Sequence, residues 1–132
     1  MHSPHLFETT LKVRDYETDS QGIVNNANYL HYLEIARHDF CESRGTSFLA
    51  MHSMGLDPVV RRIEIDYLQS LTMGDTMRLT IDVERLGARF LFKQHIYNAA
   101  TGAHVVKADV TVVVLEQGRL SRGDTVASLL SL

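Results

Sequence analysis

Apolar and polar residues roughly alternate from Leu6 to Tyr16, with Leu11 and Val13 set against Lys12 and Arg14, which predicts a strand. The period changes at Asn28. From there to about Gly45, Tyr29, Leu33, Ala36 and Phe40 recur at spacings of four, three and four, and Tyr32 and Ile35 widen the stripe. His31, Glu34, Arg37, His38 and Asp39 fall mostly elsewhere. This is the pattern of one long amphipathic helix, with Gly45 as its stop. About 18 residues at 1.5 Å each give a rod of roughly 27 Å, close to the length of an eight-residue strand.

Thr46 to Asp57 reads as a connection carrying Met51, Met54 and Gly55. From Pro58 onward the period of two returns. Ile63, Ile65 and Tyr67 alternate with Arg62, Glu64 and Asp66, then Met77, Leu79, Ile81 and Val83 with Arg78, Thr80, Asp82 and Glu84. Turn signals stand at Met73-Gly74-Asp75 and Leu86-Gly87-Ala88. Two further strands follow, Arg89 to Asn98 and Ala103 to Leu115, joined at Thr101-Gly102. Ser121 to Leu132 reads as a short terminal helix or ordered tail, with Asp124 as a candidate cap.

One strand, one long helix and four hairpin-linked strands imply an α+β fold in which an antiparallel sheet carries the helix on one face. Five strands at about 4.8 Å spread roughly 24 Å, against a helix about 10 Å wide. The sheet must therefore curl. Its free edge remains a pairing template that a homodimer would close.

The stretch between the first strand and the helix holds the candidate chemistry. Glu17 to Gly22 is polar and ends in a glycine that lets the backbone turn and approach a ligand. Asn25 or Asn26 is the expected N-cap, so the amides that follow have no helical acceptor. A helix start of this kind suits a developing oxyanion on a carbonyl or thioester carbon. Asp19, seven residues before Asn26, supplies a carboxylate that either attacks that carbon or activates water against it.

Charge and composition narrow the classes. The 132 residues carry a net charge of -3 with a pI near 6.1, which argues against nucleic acid as the main partner. The single cysteine, Cys41, reads as a small buried side chain and suits a reducing compartment. No run approaches the roughly 20 apolar residues of a membrane span. Met1-His2-Ser3-Pro4-His5 lacks the pattern of a signal peptide, so a single cytoplasmic domain over residues 1–132 is the default. His31 and His38 lack a carboxylate to complete a ligand set, so no metal is expected.

The string Tyr16-x-x-Asp19-x-x-Gly22-Ile23-Val24-Asn25-Asn26-x-x-Tyr29-x-x-Tyr32-x-Glu34-x-Ala36-Arg37 resembles the hot-dog acyl-CoA thioesterases of the 4-hydroxybenzoyl-CoA thioesterase type. Tyr67-x-x-Ser70-x-x-x-Gly74-Asp75 is similar to that family's second strand and following turn, so the resemblance covers most of the chain. It implies a curled five-stranded antiparallel sheet wrapped around one long central helix. Asp19 falls on the catalytic aspartate, and the amides of Asn26 and Ala27 fall on the thioester-polarising helix start. Many bacterial members carry a Tyr-His pair where this chain has Asn25-Asn26, a variant closer to acyl-carrier-protein thioesterases.

By the same resemblance Tyr16, Gly22, Ile23, Val24, Asn25 and Tyr29 are expected to line the substrate site. Arg37 is a secondary candidate for the substrate carbonyl, set against the simpler expectation that it pairs with Glu34 on the helix surface. The site is implied to lie at a dimer interface, in a homodimer or a dimer of dimers (homotetramer). Arg61, Arg62 and Arg89, with Arg85 and Lys93, are candidates for the phosphates of coenzyme A, although each singly reads also as solvated surface charge. Coenzyme A enters as part of the substrate and no separate cofactor is implied. The alternative is a hot-dog protein that binds acyl-CoA or an acyl-carrier protein without turnover; a dehydratase is disfavoured because the hinge lacks a histidine.

Overall fold

The computed structural model describes residues 4–132; Met1, His2 and Ser3, part of the segment read for a signal peptide, lie outside it. In chain order the elements are β1 (Phe7–Lys12), a single 3₁₀ turn (Asp15–Glu17), α1 (Asn26–Ser43), α2 (Phe48–Ser53), β2 (Leu56–Tyr67), β3 (Thr76–Leu86), β4 (Arg89–Asn98), β5 (His104–Glu116), β6 (Arg119–Leu120) and α3 (Asp124–Leu130). All pairings are antiparallel, in the order β1-β3-β4-β5-β2. The sheet curls around α1, which is the expected hot-dog arrangement.

Alternation along the strands builds the interior. Met77, Leu79 and Ile81 of β3, Phe90, Phe92 and Ile96 of β4, and Val106, Ala108, Val110, Val112 and Val114 of β5 are all buried. Against them α1 buries Tyr29, Tyr32, Leu33, Ala36, Phe40 and Cys41. Phe40 sits between Phe7 and Phe92, at ring-centroid distances of 5.7 Å and 6.2 Å. Ile35 departs from the expected stripe and lies exposed.

Several boundaries differ from the sequence reading. The first strand ends at Lys12 rather than Tyr16, because the Val13 amide donates to Asp75 O at 2.8 Å and the chain then turns. The Arg14 amide donates to Glu17 Oε1 at 2.7 Å and fixes that turn. The segment read as a plain connection contains α2, capped by Ser47, whose Oγ accepts from the Ala50 amide at 3.0 Å. A short sixth strand, β6, pairs with β5 at Leu115 and Glu116, beyond the last β4 partner at Arg89–Val113. At α3 the cap position belongs to Gly123, at φ 78°, and Asp124 is the first helical residue. A Cβ on Gly123 would stand 2.6 Å from Phe90 Cε2, so glycine is needed there on steric grounds as well.

β2 is an edge strand, and its register with β5 slips between Val60 and Arg62. The extra residue, Arg61, is a β-bulge that lets Val60 and Ile63 both face the inner side. α1 lies mainly over β1 and β3, while β2 is met by α2 and, at Tyr67, by the Tyr29 ring at a centroid distance of 5.7 Å. On its inner side Val60, Ile63 and Tyr67 nonetheless stay 36% to 44% exposed, an apolar margin beside unpaired strand backbone.

Candidate active site

A three-rung ladder folds the hinge back on itself. The Asp19 amide donates to Ile23 O at 2.8 Å, Thr18 bridges Val24, and the Asn25 amide donates to Glu17 O at 3.2 Å. Gly22, at φ 77°, closes the turn by donating to Asp19 O at 3.0 Å. The Asp19 side chain is left at the exposed tip, where its Oδ1 accepts from the Gln21 amide at 2.8 Å. From the Asp19–Ile23 rung, three residues of extended chain reach Asn26, a path of no more than about 10 Å.

The helix start is capped by Asn25, whose φ of -64° and ψ of 137° lie outside the helical region. Its Oδ1 accepts from the Ala27 amide at 2.9 Å, and its carbonyl accepts from the Asn28 amide at 2.9 Å. The Asn26 amide meets no acceptor among the described residues. Of the two amides expected to be free, Ala27 is therefore occupied by the cap and Asn26 is open. The positive end of an 18-residue helix stands behind it.

Two contacts tie the helix start to the loop after β2. The Val24 amide donates to Leu71 O at 2.9 Å, and the Leu71 amide donates to the Tyr29 hydroxyl at 3.0 Å. Val24 and Tyr29 are both buried, so they hold the hinge rather than present a surface to solvent. Burial raises the Tyr29 phenol above its ordinary value, partly offset by the hydrogen bond from Leu71. Burial, and next the neighbouring Glu17 carboxylate, also keep the Tyr32 phenol protonated, although no acceptor meets the geometry of a hydrogen bond to its hydroxyl. Tyr16 and Gly22 are exposed and Ile23 is half-buried, within one short stretch around Asp19.

Arg37 is elsewhere. Eleven residues beyond Asn26 it stands about 16 Å along the helix, so one chain does not bring it to Asp19. It turns inward, 7% exposed, and its Nη1 donates to Gln94 Oε1 at 2.9 Å. The surface pair with Glu34 does not form; Glu34 instead lies 3.6 Å from His38 Nε2. Burial pulls the Arg37 guanidinium below its ordinary value, with Glu34 and Cys41 opposing.

The model of the family described as the thioesterase-like superfamily matches residues 13–127. The chain belongs to that superfamily. It is similar to the long-chain acyl-CoA thioesterase FadM of Escherichia coli, with 34% identity over 110 residues, 83% of each chain. It is also similar to the chloroplastic acyl-acyl carrier protein thioesterase ATL2 of Arabidopsis thaliana, 31% identical over 83% of this chain and 58% of that longer protein. The solved 1,4-dihydroxy-2-naphthoyl-CoA thioesterase Slr0204 of Synechocystis superposes with a TM-score of 0.86, covering 94% of this chain and 93% of its own. At 18% identity that likeness shows the shared fold.

In this thioesterase-like chain the basic candidates are dispersed. Arg62 pairs with Glu64 at 2.8 Å and Lys93 with Glu84 at 3.1 Å. Arg85 is engaged by Asp124 at 2.5 Å and by Arg122 O at 2.7 Å. Arg61 and Arg89 are exposed without an ion pair among the described residues. Arg89 faces Val113, and Val113 faces Val59. That is the opposite end of β2 from Tyr67, whose hydroxyl lies 3.4 Å from Asn26 O.

Among the described residues no three His, Cys, Asp or Glu side chains gather as a metal set. Nor is any helix among them long and apolar enough to cross a membrane. Asp19 and Asn26 line neither described cavity; within one chain they border open surface. Two contributors escaped the sequence reading. Glu17 supplies the carbonyl that accepts from both the Asn25 amide and Asn28 Nδ2, the latter at 2.8 Å. Gln94 is a buried amide on an otherwise apolar strand face, and its place between Phe92 and Ile96 was the available signal.

Proposed function

We propose that this protein hydrolyses acyl thioesters, most simply acyl-CoA, to the free acid and thiol. The observation that carries the reading is the Asn26 amide, left open because Asn25 caps Ala27 instead, three residues from the rung that holds Asp19. A thioester carbonyl seated there accepts from Asn26 and feels the helix dipole as its oxygen becomes negative. Asp19 either removes a proton from the attacking water or attacks first to form an anhydride that water opens. In both routes the C–S bond breaks and the thiolate leaves to be protonated. FadM, named for acyl-CoA, and ATL2, named for an acyl-carrier protein, define the two carriers to compare.

The active unit we propose is a homodimer closed along β2. Antiparallel pairing of two β2 edges satisfies their free backbone groups and extends the apolar margin of Val60, Ile63 and Tyr67 across the seam. It brings the Tyr67 end of one copy, where Asn26 lies, toward the Leu56 end of the other. The dispersed arginines thereby become candidates for coenzyme A phosphates across the interface. A thiol-release assay over short, long and aromatic acyl-CoA substrates and an acyl-carrier-protein thioester tests the reading. Turnover of at least one is expected; no turnover of any, with coenzyme A still bound, would replace it by a carrier-binding protein.

A further inference from the structure

The limb that carries Asp19 is stiff within itself. Glu17 Oε1 takes the Arg14 amide at 2.7 Å, and the Asp15 carbonyl takes the Thr18 hydroxyl at 2.8 Å and the Thr18 amide at 3.2 Å. These short-range bonds close residues 14–18 into one turn, so the limb shifts as a piece and carries Asp19, two residues beyond Glu17, with it. Its ladder partner, residues 23–25, is anchored to the loop after β2 by the bond from the Val24 amide to Leu71 O. Among the described residues one hydrogen bond runs from a residue of α1 itself to the limb: Asn28 Nδ2 donates to Glu17 O at 2.8 Å.

Asn28 occupies the third position of the helix, where a polar side chain commonly turns back to the amide of the capping residue. Here that amide is already taken, because Asn25 N–H donates to Glu17 O at 3.2 Å. The Asn28 carboxamide therefore leaves the helix uncapped by its own side chain and reaches out of it, to the same oxygen. Its orientation follows from chemistry: a carbonyl only accepts, and the opposite flip would set two oxygens against each other. Oδ1 is left to His31, whose Nδ1 lies 3.3 Å away. Asparagine is also a poorer helix former than alanine, so helix stability alone does not account for it.

We propose that Asn28 is a positioning residue for the hydrolysis: by clamping Glu17 O it sets the separation of the Asp19 carboxylate from the open Asn26 amide. The inference rests on the hydrolase reading above and adds a residue to it. Both groups must meet one carbon, and a displacement of about 1 Å between reacting groups costs about a hundredfold in rate. Asn26 belongs to the same helical turn as Asn28, so the bond from Asn28 to the limb fixes amide and carboxylate in one frame. Asn28 touches neither the substrate carbonyl nor the attacking water in this scheme; it acts through Glu17.

Initial rates with octanoyl-, palmitoyl- and benzoyl-CoA, together with amide exchange followed by NMR, test it. With whichever substrate turns over fastest, Asn28→Ala should lower kcat about tenfold or more while KM stays within about threefold. Alanine favours the helix and Glu17 O keeps its bond from Asn25, so the melting temperature should stay near wild type. In the Asp19→Asn background the same change should alter kcat by less than about twofold, because no carboxylate remains to be positioned. Exchange of the Asn25 amide should quicken about threefold or more, while the Val24 amide, held by Leu71 O at 2.9 Å, exchanges as before. Full kcat in Asn28→Ala, a loss that tracks unfolding of the chain, losses that multiply in the double variant, or unchanged exchange at Asn25 would each overturn the proposal and leave the hydrolase reading standing. No turnover of any thioester by the unsubstituted protein would overturn the hydrolase reading itself, and this one with it.

Discussion

The Tyr29 hydroxyl accepts from the Leu71 amide at 3.0 Å, so a side chain in the first turn of α1 supplies the hydrogen bond that the loop after β2 lacks. Both residues are buried. Tyr29→Phe keeps the ring but leaves a buried amide without an acceptor, a loss of about 1–3 kcal/mol. Urea unfolding should show that loss as a lower midpoint at unchanged slope. An unchanged midpoint would mean that water replaces the hydroxyl.

Asp19→Asn preserves the side-chain oxygen that accepts from Gln21, so the turn and the stability should persist. Only the negative charge proposed to act as proton acceptor or nucleophile is removed. Hydrolysis should fall by about a hundredfold or more while the melting temperature stays near wild type. Single turnover of the unsubstituted protein in oxygen-18 water then tests the nucleophilic route: label in the Asp19 carboxyl marks an anhydride that water opens at the Asp19 carbon. Near-full activity of the variant would remove Asp19 from the mechanism.

What was legible depended on range. The stripe from Tyr29 to Phe40 is local, and helix and burial agree there. The alternation in β5 is likewise local, because every second residue from Val106 to Val114 points one way. The Arg61 bulge was not legible, since a one-residue slip in pairing leaves no mark on β2 alone. Nor was the partner that holds Arg37 inward, Gln94, 57 residues away. At the hinge, Asn25 and Asn26 were both candidate caps, and only the geometry decided which amide remained open.

Asn26→Pro tests that amide. Proline fits the first helical position, and Asn25 at φ -64°, ψ 137° already holds the conformation that a following proline requires. The variant deletes one N–H and little else. Loss of the donor should lower kcat by about 10²–10³-fold, with KM changed far less, as measured by initial rates. Parallel loss of circular dichroism would instead indicate disruption of α1.

His95 Nδ1 lies 2.9 Å from His104 Nε2, so one ring donates and the other must remain an acceptor. Burial first, then His104, His5 and Lys107, hold His95 below the usual histidine range, and Asp82 opposes them. The unfolded chain takes up this proton near the ordinary value of about 6.5, and the folded chain does so only at lower pH. The unfolded state therefore binds more protons in that interval, and stability falls as pH decreases through it; above the ordinary value the contribution is complete. Urea midpoints should decline from about pH 8 to about pH 5, and His95→Gln should flatten the decline. Asp82, held below the carboxylate range partly by its hydrogen bond from His5, acts at lower pH and leaves this interval unaffected. An identical slope in the variant would place the titration elsewhere.

Ile63 stands on the inner side of the β2 edge and is 36% exposed in one chain, so a lysine there strands no charge in the monomer. In a β2–β2 dimer the same lysine is carried into the apolar margin formed by Val60 and Tyr67, and edge lysines oppose strand pairing. Ile63→Lys should therefore leave thermal stability of the chain itself nearly intact while shifting sedimentation to a monomer. If the proposed dimer completes the site, hydrolysis should fall with it, because Asp19 and Asn26 line neither described cavity of the single chain. Restoring the dimer by raising the protein concentration should recover activity in proportion. A variant that stays dimeric with full turnover would place the interface on another face of the sheet.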